Sequence, residues 1–368
     1  MYIYQRKSWP RFTWNMEKLA QELTETSFLQ GKMLGKMQSL GFDFRQETLL
    51  QALTSEITQS GEIEGEHLNN DEVRSSIARR LNINNDNPVS SSHHIDGVVE
   101  MMIDATHNYD RELTLDRLYR WHAALFPTGY SGLSKINVGC LRDDAAGAMR
   151  VVSGMGDRER VYYEAPPAGR LPEMMSGFLK WFNGAWDINP LIMAGIGHLW
   201  FITLHPFDDG NGRIARAITD MALSKAEKTP YRFYSMAAEI QKEKNDYYMI
   251  LEKTQKGDTD ITDWLLWFLK CLKNSILSAD TTIEKVIEKA RLWEELNKKN
   301  LTADQRKMLN MLTDGFNGHL TSSKWAKICK CSQDTANRAI KNLVEQNVLE
   351  TVGAGRNTRY VLKRNEIC

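Results

Sequence analysis

The chain has 368 residues, 42% hydrophobic and 26% charged, and its 47 basic and 47 acidic side chains cancel to a formal net charge of zero. That length exceeds what a single core fills, so two or three domains are expected, and the composition excludes a fibrous or disordered chain. Zero net charge also excludes the whole molecule as an electrostatic trap for nucleic acid or anionic membrane, leaving local patches for such roles.

The opening "MYIYQRKSWPRF" is basic and aromatic and lacks the apolar block of a secretion signal. The five cysteines are odd in number. Cys329 and Cys331 lie too close for the usual zinc spacing, while Cys140, Cys271 and Cys368 stand alone, which favours a reducing, cytoplasmic setting. Apolar residues recur at helical spacing from Asn15 to Leu40 and from Gln46 to about Ser60. "SGEIEGEHLNNDEV" is a polar break leading into a helix that ends near Leu81. "NINNDNPVSSSHH" reads as a loop, with His93 and His94 outside any helix. Helices are predicted around Val98 to Asn108 and Leu115 to Phe126, and "MRVVSGMGDRERVYYEAPP" reads as a hairpin around a Gly-rich tip. The apolar stretch Leu191 to Leu204 carries His198 and falls short of the roughly 20 residues that span a bilayer, so it reads as a core helix.

Helices continue through "NDYYMILEKTQ" and "ITDWLLWFLKCLKNSIL", and the charged "IEKVIEKARLWEELNKKN" reads as a solvated helical connector. From Leu301, three helical patterns and two short strands around "GAG" resemble a winged helix-turn-helix. Ser332 would cap its recognition helix, which would present Gln333, Thr335, Asn337, Arg338 and Lys341 to DNA. Wings of this shape also dock proteins or form dimers.

"LHPFDDGNGRIAR", Leu204 to Arg216, holds the most chemistry. A helix starting after Gly212 would aim free backbone N–H groups at the loop, a geometry that binds anions, and Gly210 and Gly212 let a phosphate approach the backbone. Arg213 and Arg216, one turn apart, can grip neighbouring phosphates. Asp209 offers a hard oxygen ligand for magnesium, and His205 is the titratable base. Taken singly, each residue has a plainer role as a core, capping or solvated group; their concentration in one loop argues for a nucleotide site. Two rival readings stay open. "GNGRIA" fits a loose dinucleotide fingerprint but lacks the entering strand, and a metal phosphohydrolase would want further ligands beside His205, Asp208 and Asp209.

"HPFDDGNGRIAR" resembles the signature of the Fic (Fido) family, H-P-F-x-D/E-G-N-G-R-x-x-R, at every specified position. The resemblance implies a mainly α, all-helical Fic core over about Val98 to Leu272, with a β-hairpin flap. It also implies transfer of AMP from ATP to a hydroxyl side chain of a protein target, the chain itself included among candidate targets. Carried across, His205 deprotonates the target hydroxyl and Asp209 holds Mg2+. Gly210, Asn211 and Gly212 form the anion hole, and Arg213 and Arg216 hold the β- and γ-phosphates. The hairpin with Val151, Val152, Val161 and Tyr162 would be the flap that takes the target by strand addition, and Tyr247 or Tyr248 would touch the nucleotide.

"SGEIEG", Ser60 to Gly65, resembles the S/T-x-x-x-E-G/N inhibitory motif of one class of the family, which implies that Glu64 pairs with Arg216. Some members run the reaction in reverse and remove AMP. A nucleotide-sensing DNA-binding regulator is the reading from another class. The organisation expected is an N-terminal helical domain over 1–90 that carries the inhibitory motif, a catalytic domain over 91–285, a connector over 286–300 and the winged helix-turn-helix over 301–368. No membrane association is expected, and a homodimer is left open.

Overall fold

Short polar residues set most of the helix starts. In the computed structural model, Asn15 accepts from Lys18 N to cap α1 (Met16–Ser39), and α2 (Phe42–Ile63) follows Gly41. The structure describes all residues except 86–87, 146, 154–159, 186, 314–315, 317, 354, 356–357 and 364–368, and except the side chains of 42–43, 285–286 and 290. Asn69, Ser92 and Thr114 cap α3 (Asn70–Leu81), α4 (His93–His107) and α5 (Leu115–Leu125). Two antiparallel pairs come next: β1 (Tyr130–Ser131) with β2 (Ser134–Lys135), then β3 (Arg150–Ser153) with β4 (Arg160–Glu164), Val152 opposite Val161. α6 (Leu171–Asn183), α7 (Pro190–Leu204), α8 (Asn211–Glu227), α9 (Met236–Lys242) and α10 (Lys244–Gln255) lead to the long α11 (Thr262–Asn297). The chain closes with α12 (Ala303–Thr313), α13 (Ser322–Cys329), α14 (Gln333–Glu345) and an antiparallel pair, β5 (Leu349–Val352) and β6 (Arg359–Leu362). The fold is mainly α, as expected. The tip of the first hairpin, 154–159, and most of the last hairpin's Gly-rich turn lie outside the described residues.

Three boundaries differ from the sequence reading, each for a local reason. α2 runs past Ser60 because Ile63 is buried, so the polar break shrinks to the residues after it. His93 and His94 belong to the first turn of α4 and not to a loop, since Ser92 Oγ accepts from Ile95 N and starts the helix in a stretch with no apolar period. The charged connector is the continuation of α11.

Residues Met1–Thr282 form one compact unit and Ile283–Cys368 a second. At the centre of the first, every residue of α7 from Leu191 to Leu204 is buried, and α8 packs along it with Ile214, Ala215, Ile218 and Met221 inward. α7 is about 22 Å long at the helical rise, and among the described residues no helix is long and apolar enough to cross a membrane. The second unit closes over Trp325, Met308, Leu309, Ile340, Leu343 and Leu349. There Ser332 caps α14, and Arg338 and Lys341 on its exposed face pair with Asp334 and Glu345 of the same helix.

A buried charge cluster ties α1 to the end of α8, and beside it α2 is tied to the start of α9. Arg232 meets Asp220 at 2.9 Å and Glu227 at 3.1 Å, and Gln30 of α1 donates to Glu227 at 2.7 Å. Glu56 of α2 accepts from Ser235 Oγ and Ala237 N at the start of α9. Burial, then the nearby Glu56 carboxylate, push Asp220 up to about 8. Arg232→Met would leave Glu227 without its cation in a dry site, so denaturant unfolding should report a loss of about 3–5 kcal/mol; an unchanged midpoint would mean the cluster does not hold these helices together.

Candidate active site

The turn between α7 and α8 is unusual in its backbone. His205 ends α7 in the left-handed region at φ 48, and Gly210 opens α8 at φ 76, a conformation that costs glycine little. Three side chains hold the turn. Asn211 accepts from Phe207 N at 3.0 Å and donates to Phe207 O at 2.8 Å, latching the loop to the first helical residue. His122 stacks on Phe207 with ring centroids 4.4 Å apart. Arg142, its guanidinium buried, donates to His205 O at 2.7 Å and to Pro166 O, just after β4, at 2.6 Å. Tyr163 of β4 donates to Thr203 O in the last turn of α7. The hairpin base and the turn are therefore one rigid piece.

His205 Nδ1 lies 3.2 Å from Ile202 O. A carbonyl only accepts, so Nδ1 carries the proton and the lone pair sits on Nε2, which makes no hydrogen bond among the described residues. Burial lowers this imidazole to about 4, against smaller opposing effects of the Ile202 carbonyl and nearby carboxylates. It is therefore a neutral acceptor at physiological pH, as a general base must be.

The amides that open α8 have no side-chain cap at Gly210, so the first N–H groups and the positive helix end are left for an anion. A Cβ at Gly212 would overlap Glu64 Oε1, so the glycine leaves room for that carboxylate in its present place. Arg216 is 2% exposed; its Nε donates to Ser60 Oγ at 2.7 Å and its Nη2 to Ser60 O at 2.9 Å and Glu64 Oε1 at 2.7 Å. Arg213 lies over the Phe126 ring and donates to Glu66 Oε2 at 2.7 Å. Arg213 Nε and Arg216 Nη1 are buried with no acceptor among the described residues, which fits a site that takes further anionic oxygens.

The carboxylates reach these cations through the way α2 ends. Glu64 is its C-cap and Gly65 follows at φ 80. Glu66 N bonds to Gly61 O and Gly65 N to Glu62 O, the paired bonds of a Schellman turn. That turn reverses the chain sharply enough to bring residues 64 and 66 both against α8. Ser60, Glu64 and Gly65 thus act together, and Gly65 serves by its backbone.

Asp209 accepts from Ser131 Oγ and from Gly210 N, and Asp208 from Asn137 N. Among the described residues no group of three or more His, Cys, Asp or Glu could hold a metal by itself. One hard carboxylate at the mouth of an anion site fits a magnesium that arrives with phosphates and keeps its waters. β3 and β4 pair only with each other among the described residues, and Val152 is 43% exposed, with Val151, Val161 and Tyr162 half-buried. Tyr247 departs from expectation. It is 2% exposed with its hydroxyl on His198, so it is a core residue behind Arg216, whereas Tyr248 keeps an exposed ring and reaches Ile63 O at 3.3 Å. Arg142, His122 and Glu66 are site residues that sequence reasoning missed, and His94 enters that reasoning only with His93, as a ligand for a metal phosphohydrolase too distant in sequence. No motif marks Arg142 or His122, and Glu66 and His94 meet only after α2 turns.

Residues 112–223 match the Fic/DOC family, residues 2–83 a domain of unknown function (DUF4172), and residues 314–363 the family described as transcriptional regulator DIP2311-like, C-terminal domain. The protein adenylyltransferase Fic of Nematostella vectensis is 30% identical over 125 residues, 32% of this chain and 27% of that protein. That of Aedes aegypti is 32% identical over 107 residues, 27% of this chain and 20% of that protein. The chain thus spans about a fifth to a quarter of the length of these curated relatives. Among solved structures, a Fic family protein from Desulfovibrio desulfuricans G20 aligns over 94% of this chain and 95% of its own, with TM-score 0.54 and 20% identity. A Fic-domain signalling protein from Bacteroides thetaiotaomicron VPI-5482 aligns over 71% and 97%, with TM-score 0.52 and 18% identity. These two likenesses show the fold.

The partly buried setting of His205 gives a direct expectation. In a histidine NMR titration its ring resonances should move with a midpoint near 4, well below the ordinary value of about 6.5. A midpoint at the ordinary value would mean that the imidazole is solvated and the turn open.

Proposed function

Residues 112–223 are a Fic/DOC domain, and from that premise we propose that the chain is a protein adenylyltransferase, restrained by its own Glu64. The observation that carries this reading is the meeting of His205, the uncapped start of α8, Arg213 and Arg216 in one corner, with Glu64 seated on Arg216. A Ser, Thr or Tyr hydroxyl of the target attacks the α-phosphorus of ATP. The new O–P bond forms as the bond to the β-phosphate oxygen breaks, pyrophosphate leaves, and the hydroxyl proton passes to His205 Nε2. Gly210, Asn211 and Gly212 supply the backbone of the anion hole, and Arg213 and Arg216 hold the phosphate tail. Asp209, together with the phosphates, would hold Mg2+, which neutralises charge on the leaving group. The flap strands β3 and β4 offer an edge to an extended target segment, and Tyr248 is the aromatic residue placed to touch the nucleotide.

While Glu64 holds Arg216, the γ-phosphate loses a ligand and meets a negative charge. Labelled ATP and magnesium should therefore mark protein weakly with wild type, at least about tenfold more with Glu64→Gly, since a charge-assisted contact is exchanged, and not at all with Glu64→Gly/His205→Ala. Equal labelling in all three would sink the assignment.

The occupation of both arginines by carboxylates favours a second reading, removal of AMP from a modified target with Glu64 orienting the water. Wild type should then release AMP from such a target, and Glu64→Gly should not.

The match to a transcriptional-regulator C-terminal domain supports DNA as a further partner of a winged helix-turn-helix over 301–368. Binding to a duplex should weaken with salt and on Arg338→Ala or Lys341→Ala, though both cations are already paired along α14. We also propose that 1–90, 91–285 and 286–300 are the remaining sequence modules, and that the free Cys140, Cys271, Cys329 and Cys331 suit a reducing, cytoplasmic setting.

A further inference from the structure

The motif around Glu64 accounts for one arginine of the corner, and the structure pairs the other as well. Arg213, whose side chain is 7% exposed, donates to Glu66 Oε2 at 2.7 Å. The second oxygen of Glu66 is held by His94 Nε2, from the first turn of α4, so this carboxylate is gripped from an element that is not part of the α2 turn. Burial opposes the charge on Glu66, but the His94 hydrogen bond and the Arg213 guanidinium outweigh it and hold the carboxyl below the usual range. Glu64, Glu66, Arg213 and Arg216 thus form two closed pairs whose charges cancel. A ligand bearing only an α-phosphate addresses the amides at the start of α8 and asks nothing of either arginine. A triphosphate brings its tail to both arginines, where each carboxylate competes with it for the guanidinium and repels it.

Resting on the nucleotide reading above, we propose that Glu66, positioned by His94, is a specificity-determining residue: it sets the discrimination against nucleoside triphosphates in favour of monophosphates by occupying Arg213, independently of Glu64. Release of Glu64 frees only half of the phosphate grip. The remaining half is controlled by a residue on the far side of the Gly65 turn and by the helix that begins at His93.

The test is calorimetric titration of the full chain with ATP and, separately, with AMP in magnesium buffer. Wild type, Glu64→Gly, Glu66→Gln, His94→Gln and the double variant Glu64→Gly/Glu66→Gln would be compared, each checked for an unchanged melt. Glu66→Gln keeps size and hydrogen bonding while removing the charge; it should tighten ATP about tenfold, the scale of one charge-assisted contact, and leave AMP within about twofold. His94→Gln should shift ATP in the same direction by less, and the double variant should exceed Glu64→Gly. ATP affinity that responds to Glu64→Gly but not to Glu66→Gln, or an equal gain for ATP and AMP, would overturn the role of Glu66 and leave the nucleotide site standing. No binding of either nucleotide by any variant would overturn the site and this inference together.

Discussion

A guanidinium that cannot lose its proton and has almost no contact with water must have an anion beside it. Arg216 is such a group, and the corner where α7 meets α8 is organised around that requirement. The anion is either supplied by the chain or brought by a ligand, and the two compete for the same donors. In the structure the chain supplies it, through Glu64 together with the hydroxyl and carbonyl of Ser60 at the negative end of α2. Arg213 repeats the arrangement with Glu66. The proposed catalysis and the proposed restraint therefore follow from one physical need, and a side chain that satisfies it too well denies it to the phosphate.

Such competition works only if the carboxylates are delivered to a fixed place. Two features do this. The Schellman turn at Gly65 folds residues 64 and 66 back over α8, and the absent side chain of Gly212 leaves room for Glu64. Behind them, the buried cluster of Arg232, Asp220 and Glu227, with Gln30 and Glu56 reaching in from α1 and α2, sets where α2 sits against α8 and α9. The N-terminal helices are thus held by hydrogen bonds to buried carboxylates, α1 at the end of α8 and α2 at the start of α9, and the α2 terminus inherits that placement.

The imidazole of His205, the proposed base, is set by the same means. Arg142 and Asn211 hold the backbone on either side of the turn, Nδ1 of His205 is committed to Ile202 O, and partial burial favours the neutral ring. Arg142 also fastens the carbonyl after β4, and Tyr163 ties that strand to the end of α7. In the proposed reading, a target segment laid along β3 and β4 would be placed by the group that places His205.

Local rules were enough to read much of this from the residues. Helical spacing located most helices to within a turn, and the glycines, arginines and histidine of Leu204 to Arg216 pointed to a phosphate site because each carries its chemistry wherever the backbone puts it. Sequence could not decide which partners those groups meet across the fold. His94 looked like a loop residue because a polar run has no period, and it became a ligand of Glu66 only when α4 began one residue after Ser92. Tyr247 looked like a nucleotide contact and is core, because burial is set by what α10 packs on and not by its own spacing. Arg142, with no motif around it, gains its place from two carbonyls more than 20 residues away. Short-range backbone preference is written in neighbouring residues; the pairing of a buried charge is settled by whichever distant group the packed helices bring within hydrogen-bond reach.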